Sequence, residues 1–215
     1  DEIYDQVKAM DQQSRYYYGR PLSNIVFMGM GEPLMNYKNM IASIEKITQP
    51  DGLAISPSRI TVSTSGIPKM IIKMADDGVK FSLAVSLHSA RQSVRERLMP
   101  FAKKFPLNEL VTSIQYWYEK TSKPVTFEYI VWKKINDKKE DIDALVDLCK
   151  STPCKVNLIE YNPIGENEFL QADNDTISDY RSALEANRIT VTLRRSRGKD
   201  IDAACGQLAN KFMKT

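Results

Sequence analysis

Two hydrophobic periodicities alternate along this chain. Short runs rich in Val, Ile, Phe, Tyr and Thr occupy residues 24–30 (NIVFMGM), 59–65 (RITVSTS), 81–88 (FSLAVSLH), 124–132 (PVTFEYIVW), 155–162 (KVNLIEYN) and 189–195 (ITVTLRR). Their composition predicts β-strands, several of them apolar enough without interruption to be buried on both faces. Between the runs, apolar residues return at helical spacing. Met40, Ile41, Ile44 and Ile47 share one face of MNYKNMIASIEKIT, and Leu107, Leu110, Val111, Ile114 and Trp117 share one face of LNELVTSIQYWYEK. Ile142, Leu145, Val146 and Cys149 do the same in KKEDIDALVDLCKS. The opening DEIYDQVKAMDQQSRYY reads as a helix already under way, with Ile3, Val7 and Met10 on one face, and so as part of a longer protein. Strand alternating with helix predicts parallel βα units in one α/β domain, open or barrel-like. A polar, turn-rich stretch at 163–175 (PIGENEFLQADND) interrupts the rhythm and predicts a long functional loop.

In parallel βα folds ligands bind at the carboxyl ends of the strands. Here those ends carry Gly29, Met30, Gly31, Glu32 and Pro33; Ser63, Thr64, Ser65 and Gly66; Ser86, Leu87 and His88; and Glu160, Tyr161, Asn162 and Pro163. Each has a local explanation. A Gly-x-Gly-x-Pro segment turns a corner, Ser63 or Ser65 can cap a helix starting at Ile67, and Asn162 before Pro163 is a common turn pair. His88, the only histidine, fits a structural role equally well. On one rim, however, these ends form a polar crown suited to a polar small molecule, with glycines that allow close approach to the backbone. No P-loop, dinucleotide fingerprint, H-E-x-x-H or C-x-x-C motif occurs, and Cys149 and Cys154 are spaced as packing residues.

The segment IDAACGQLANK at 201–211 raises a separate question. On a helix, Ile201, Ala204, Cys205 and Leu208 share one face, which makes Cys205 a core residue. The cations before it, Arg194, Arg195, Arg197 and Lys199, instead favour a thiolate, and small neighbours leave the sulfur accessible. From these local signals alone Cys205 reads as a core residue. With 42% hydrophobic and 27% charged residues among 215, the composition is that of a globular domain, and a net charge of +3 permits an RNA partner without requiring one. Three cysteines leave one unpaired in any disulfide scheme, which predicts a reducing, cytoplasmic setting.

The segments GMGEPLMNY, ITVSTSG, AVSLHSA, CKVNLIEYNP and RRSRGKDIDAACGQLA, in this order, resemble the radical SAM adenine-C2 methyltransferases of ribosomal and transfer RNA, the RlmN type. The antibiotic-resistance enzyme Cfr is a close relative of these. The resemblance covers residues 1–211 and implies a partial (β/α)6 TIM-like barrel holding S-adenosylmethionine (SAM) and a [4Fe–4S] cluster. It puts Gly31 and Glu32 on the methionyl amino group, and Ser63, Ser86, Leu87, His88 and Asn162 around the rest of SAM. Cys205 matches the methyl-carrying cysteine. One SAM methylates its sulfur; a second, cleaved to a 5′-deoxyadenosyl radical, takes hydrogen from that methyl, and the carbon radical adds to C2 of an adenine. Arg194, Arg195, Arg197 and Lys199 would then hold the RNA backbone.

The family's cluster motif, C-x3-C-x2-C, does not occur in these residues and is expected upstream of Asp1. A second catalytic cysteine, the general base, a small RNA-binding domain and the first barrel strand are expected there too. Residues 1–215 are then the barrel core with a catalytic-cysteine segment at about 194–211, expected to bind no cluster and turn over no substrate alone. The implied partners are 23S rRNA, with transfer RNA as a second candidate, and a reductant such as flavodoxin; no membrane is involved. Two other readings stand beside this one: a non-catalytic α/β module binding a nucleotide-like ligand, and a barrel enzyme using Glu32 and His88 as base and acid. C8 methylation of the Cfr kind is the variant within the family.

Overall fold

All six strand-like runs become strands, each shorter than its run. The computed structural model describes residues 1–29, 31–162 and 169–195. The strands are β1 (Ile25–Phe27), β2 (Ile60–Thr64), β3 (Ser82–Ser86), β4 (Val125–Ile130), β5 (Cys154–Ile159) and β6 (Val191–Arg194). They pair in chain order, every pair parallel. Helices connect them: α1 (Glu2–Tyr18) before β1, α2 (Tyr37–Thr48), α3 (Pro68–Asp76), α4 (Gln92–Leu98) and α5 (Leu107–Thr121), α6 (Lys139–Ser151), and α7 (Asn174–Ala186).

The helical periodicity delivers the core. Met40, Ile44 and Ile47 of α2, Ile71 and Met74 of α3, Leu110, Ile114 and Trp117 of α5, Leu145 of α6 and Tyr180 and Leu184 of α7 are all buried. They join Ile60, Val62, Leu83, Val85, Val125, Phe127, Tyr129, Val156 and Leu158 of the strands in one cluster. In the first helix the expected stripe is only half realised. Ile3 and Val7 are half-buried, but Met10 is 58% exposed, because α1 packs against α2 along its first turns and its later turns extend past it.

The strands are not apolar on both faces. Alternate residues point to opposite sides of a sheet, and the partners of those core residues are Thr61, Ser63, Ala84, Ser86, Thr126, Glu128, Asn157 and Thr192. One face is therefore a hydrophobic wall under helices, and the other is small and polar. The sheet also curves. Laid flat at about 4.8 Å per strand, it would separate β1 from β6 by about 24 Å, more than two side chains can bridge. Arg194 Nη1 nevertheless lies 3.5 Å from Met28 Sδ, so the carboxyl ends of the first and last strands face each other. The polar face is the concave one, and the result is a partial barrel. No described helix is long and apolar enough to cross a membrane.

Candidate functional site

The carboxyl ends of the strands are tied together by hydrogen bonds that begin at Glu32. The chain leaves β1 through Gly31, whose φ of 86° is strained for any residue with a Cβ. Glu32 follows in extended conformation and heads a 3-10 turn, Pro33–Asn36, with its Oε1 accepting from Leu34 N at 3.0 Å. The same oxygen accepts from Thr64 Oγ1 at 2.8 Å, and Oε2 accepts from the Ser65 main-chain N at 2.7 Å and from Ser65 Oγ at 2.6 Å. Four donors on one carboxylate match its four lone-pair positions. Such bonds fix its orientation. Ser65 does not cap α3: the N-cap is Ile67, without a side-chain bond, and the serine is committed to Glu32 instead.

Ser63 is buried on the concave face of β2, and Ser86 is half-buried at the same face of β3. Ala84 lies between them in the register, leaving room above the sheet. Leu87 meets the crown through its backbone. Its side chain is fully buried in the helix-side core, so only its backbone belongs to the rim, where its N–H donates to Glu128 O at 3.0 Å.

His88 has φ 55°, the left-handed region. Its main-chain oxygen accepts from Asn136 Nδ2 at 2.8 Å, and its Nδ1 accepts from Ile130 N at 3.3 Å. Desolvation, aided by the nearby Arg95 charge, pushes its pKa down to about 4. The ring is therefore neutral at physiological pH with its proton on Nε2, and it meets Trp132 edge-on at 5.6 Å. The Nδ1 of this neutral imidazole is occupied by Ile130 N, and the lone pairs of Glu32 are filled by Leu34, Thr64 and Ser65. Beyond it Trp132, Tyr161 and Phe169 form an aromatic cluster, with centroids 5.8–6.5 Å apart, that leads to the buried Asn162.

Lower on the concave face, the register aligns Ser86, Glu128, Asn157 and Thr192 across four strands. Thr192 Oγ1 donates to Asn157 Oδ1, and Asn157 Nδ2 donates to Glu128 Oε1 at 3.1 Å. Glu128 is 4% exposed and its Oε2 has no partner. Burial raises its pKa, against the smaller opposing effects of Asn157 and Arg194. Arg194 and Arg195 lie exposed at the end of β6. Cys205, Arg197 and Lys199, and residues 163–168 of the expected loop at 163–175, lie outside the described residues.

Several residues of this rim escape a reading of the sequence. A glutamate inside the otherwise apolar run PVTFEYIVW was a visible signal for Glu128. Nothing separates Arg95 from Arg97 in SVRERLMP, or Asn136 from any loop asparagine, before the fold brings them to the strand ends. Cys149 is buried and Cys154 half-buried, at the end of α6 and the start of β5, which is the opposite end of the barrel from the rim. No group of three or more metal-ligating side chains occurs among the described residues.

No protein-family model matches the chain. Individual proteins do. It is 66% identical over 210 residues to the probable dual-specificity RNA methyltransferase RlmN of Flavobacterium psychrophilum, covering 98% of this chain and 60% of the relative. The protein of the same name from Salinibacter ruber is 44% identical over 211 residues, covering 97% of this chain and 57% of the relative. A radical SAM methyltransferase structure from Sphaerobacter thermophilus superposes with a TM-score of 0.92 at 37% identity, over 96% of this chain and 60% of that one. A domain of a pyruvate-formate lyase-activating enzyme from Bacteroides vulgatus shares the fold, with a TM-score of 0.63 at 16% identity over 80% of this chain and 99% of that one. The chain thus spans about 60% of the length of these curated relatives. In sequence and in its curved six-stranded sheet, this chain is similar to about 60% of the length of the RlmN-type radical SAM methyltransferases.

Proposed function

We propose that the full-length protein is a radical SAM methyltransferase that methylates C2 of an adenosine in 23S rRNA, with transfer RNA as a second substrate. The observation that carries the reading is the pinned Glu32 carboxylate above a small, polar concave face, in a chain 66% identical to a protein named a probable dual-specificity RNA methyltransferase. The residues fit SAM. Ser63, Ala84 and Ser86 leave space for an adenosyl group, and Glu32 offers charge to the methionyl ammonium. Its lone pairs are already filled, so the ammonium takes the place of Ser65 Oγ, a side-chain donor that can rotate away, whereas the other hydroxyl donor, Thr64 Oγ1, also accepts from Gly66 N. Gly31, His88, Asn162 and the Leu87 backbone complete the SAM site.

SAM, when bound, supplies the methyl group. Cys205 receives it on sulfur and presents it to the RNA base, which must leave its stack to be reached. Arg194, Arg195, Arg197 and Lys199 neutralise the flanking phosphates. The described residues do not fit an iron–sulfur cluster: the two described thiols lie at the far end of the barrel. Residues 1–215 expressed alone are expected to bind no cluster and to leave RNA unmethylated. In the full-length enzyme, a flavodoxin-like reductant and a cytoplasmic setting complete the reading.

The test is the mass of the tryptic peptide at 200–211 from full-length protein expressed with iron and SAM. A peptide one methylene heavier on Cys205 supports the methyl-carrier role, and an unmodified peptide from iron-replete enzyme overturns it. Nucleoside analysis of treated 23S rRNA then decides the carbon: 2-methyladenosine is expected, and 8-methyladenosine would overturn the C2 assignment in favour of Cfr-type chemistry. Cys205→Ala is expected to abolish methyl transfer while SAM binding survives.

A further inference from the structure

Arg95, on α4, is fully buried, yet no carboxylate among the described residues touches it. Its Nε and Nη1 have no partner, and desolvation lowers its pKa to about 10, a value that still leaves it charged at neutral pH. A guanidinium withdrawn from water without a counter-ion is strongly destabilising. Its charge has to be used elsewhere, and its one bonded nitrogen shows where. Nη2 donates to Ser65 O at 2.7 Å and, less closely, to Ser86 O at 3.4 Å, joining the ends of β2 and β3. The Ser65 carbonyl shares its peptide group with the N–H of Gly66, which donates to Thr64 Oγ1 at 3.0 Å. The Thr64 hydroxyl proton is given to Glu32 Oε1 at 2.8 Å. Every donor in this chain points the same way, from the cation to the anion, and hydrogen bonds in series polarise one another. Gly66 has φ 95°, a conformation other residues rarely adopt, and a Cβ there would meet Leu110 Cδ1 at 3.0 Å. The turn is shaped for this relay.

We propose that Arg95 is a positioning residue for Glu32: a buried cation that, through the Ser65 carbonyl, the Gly66 N–H and the Thr64 hydroxyl, holds the Glu32 carboxylate aimed at the amino group of its ligand. The inference rests on the reading of Glu32 as the partner of the SAM ammonium. It assigns specificity for the α-amino group to a residue that never touches the ligand. Arg95→Met removes the head of the relay, Thr64→Val breaks it one bond from Glu32, and Arg95→Lys keeps the charge with a single donor in place of the two-carbonyl clamp.

The experiment measures equilibrium binding of SAM, and of a SAM analogue lacking the α-amino group, to the full-length protein and these variants. The unaltered protein is expected to prefer SAM; equal binding of the two would overturn the Glu32 reading itself, whatever Arg95 does. Given that preference, Arg95→Met and Thr64→Val should each weaken SAM by about tenfold, the value of one charged hydrogen bond, and the analogue by less than about twofold. Arg95→Lys should recover part of the loss. Equal weakening of SAM and analogue by Arg95→Met would show a merely structural arginine and overturn the proposal. Should Arg95→Met fail to fold by circular dichroism, Thr64→Val decides, and an intact preference for SAM in that variant overturns it.

Discussion

Asn136 holds three backbone groups that the rim would otherwise leave unpaired. Its Nδ2 donates to His88 O at 2.8 Å and Ile130 O at 2.9 Å, and its Oδ1 accepts from Trp132 N at 2.7 Å. Asn136 itself is fully buried, where an unmade bond costs most. Asn136→Ala is expected to lose about 2–4 kcal/mol of unfolding free energy, read from urea denaturation. His88 gives a pH signature. Unfolded, it takes up a proton below 6.5; folded, only below about 4. Its contribution to stability is therefore complete above 6.5, falls as the pH drops through that window, and levels off below about 4. His88→Asn keeps an acceptor near Nδ1 and tolerates the positive φ, but does not titrate. The pH dependence of its urea midpoint should be flatter than the parent's across that window, and an unchanged slope would mean His88 is not the titrating group.

Among the elements, the strand-to-helix turn after β2 carries the tightest constraint. Gly66→Ala introduces both an unfavourable φ and a contact of 3.0 Å with Leu110, and is expected to cost about 1–3 kcal/mol in thermal or urea unfolding. On β4, Glu128→Gln tests the buried carboxyl. The raised pKa of Glu128 means the unfolded chain ionises first as pH rises above 4.5, so the parent loses stability there until the folded group ionises too. Glutamine escapes that loss: the variant should match the parent at about pH 4 and exceed it at about pH 8, by urea midpoint. The elements themselves were largely legible. Helical spacing located α2, α5 and α6, and β-branched runs located every strand. Their ends were not, because the apolar runs continue past the ladders. Leu87, Val131 and Trp132 are buried like strand residues but lie beyond β3 and β4.

At the scale of the whole molecule, the described helices cover one face of the sheet; among the described residues the other face is open to a ligand, and the exposed arginines flank it. If Arg194 and Arg195 bind phosphate, replacing both by alanine in the full-length protein should weaken RNA binding. The double replacement should also flatten the dependence of log affinity on log salt by about 0.7–0.9 per lost contact. An unchanged slope would return them to a solvated basic edge.

Order and type of the strands and most helices, and the polar identity of the strand ends, followed from local periodicity and residue chemistry, which act over a few residues and need no fold to be read. The motifs that mark the family are equally local. What only the assembled chain decided is which side of each strand the helices cover, since alternation is symmetric until one face is buried. Long-range contacts decided the rest. They turned Ser65 from a cap into a ligand of Glu32, sent the Leu87 side chain into the core, and brought Arg95 from a surface-like sequence to a buried position behind the site. Those partners lie about thirty positions apart along the chain, as Glu32 and Ser65 do, and no spacing rule connects them.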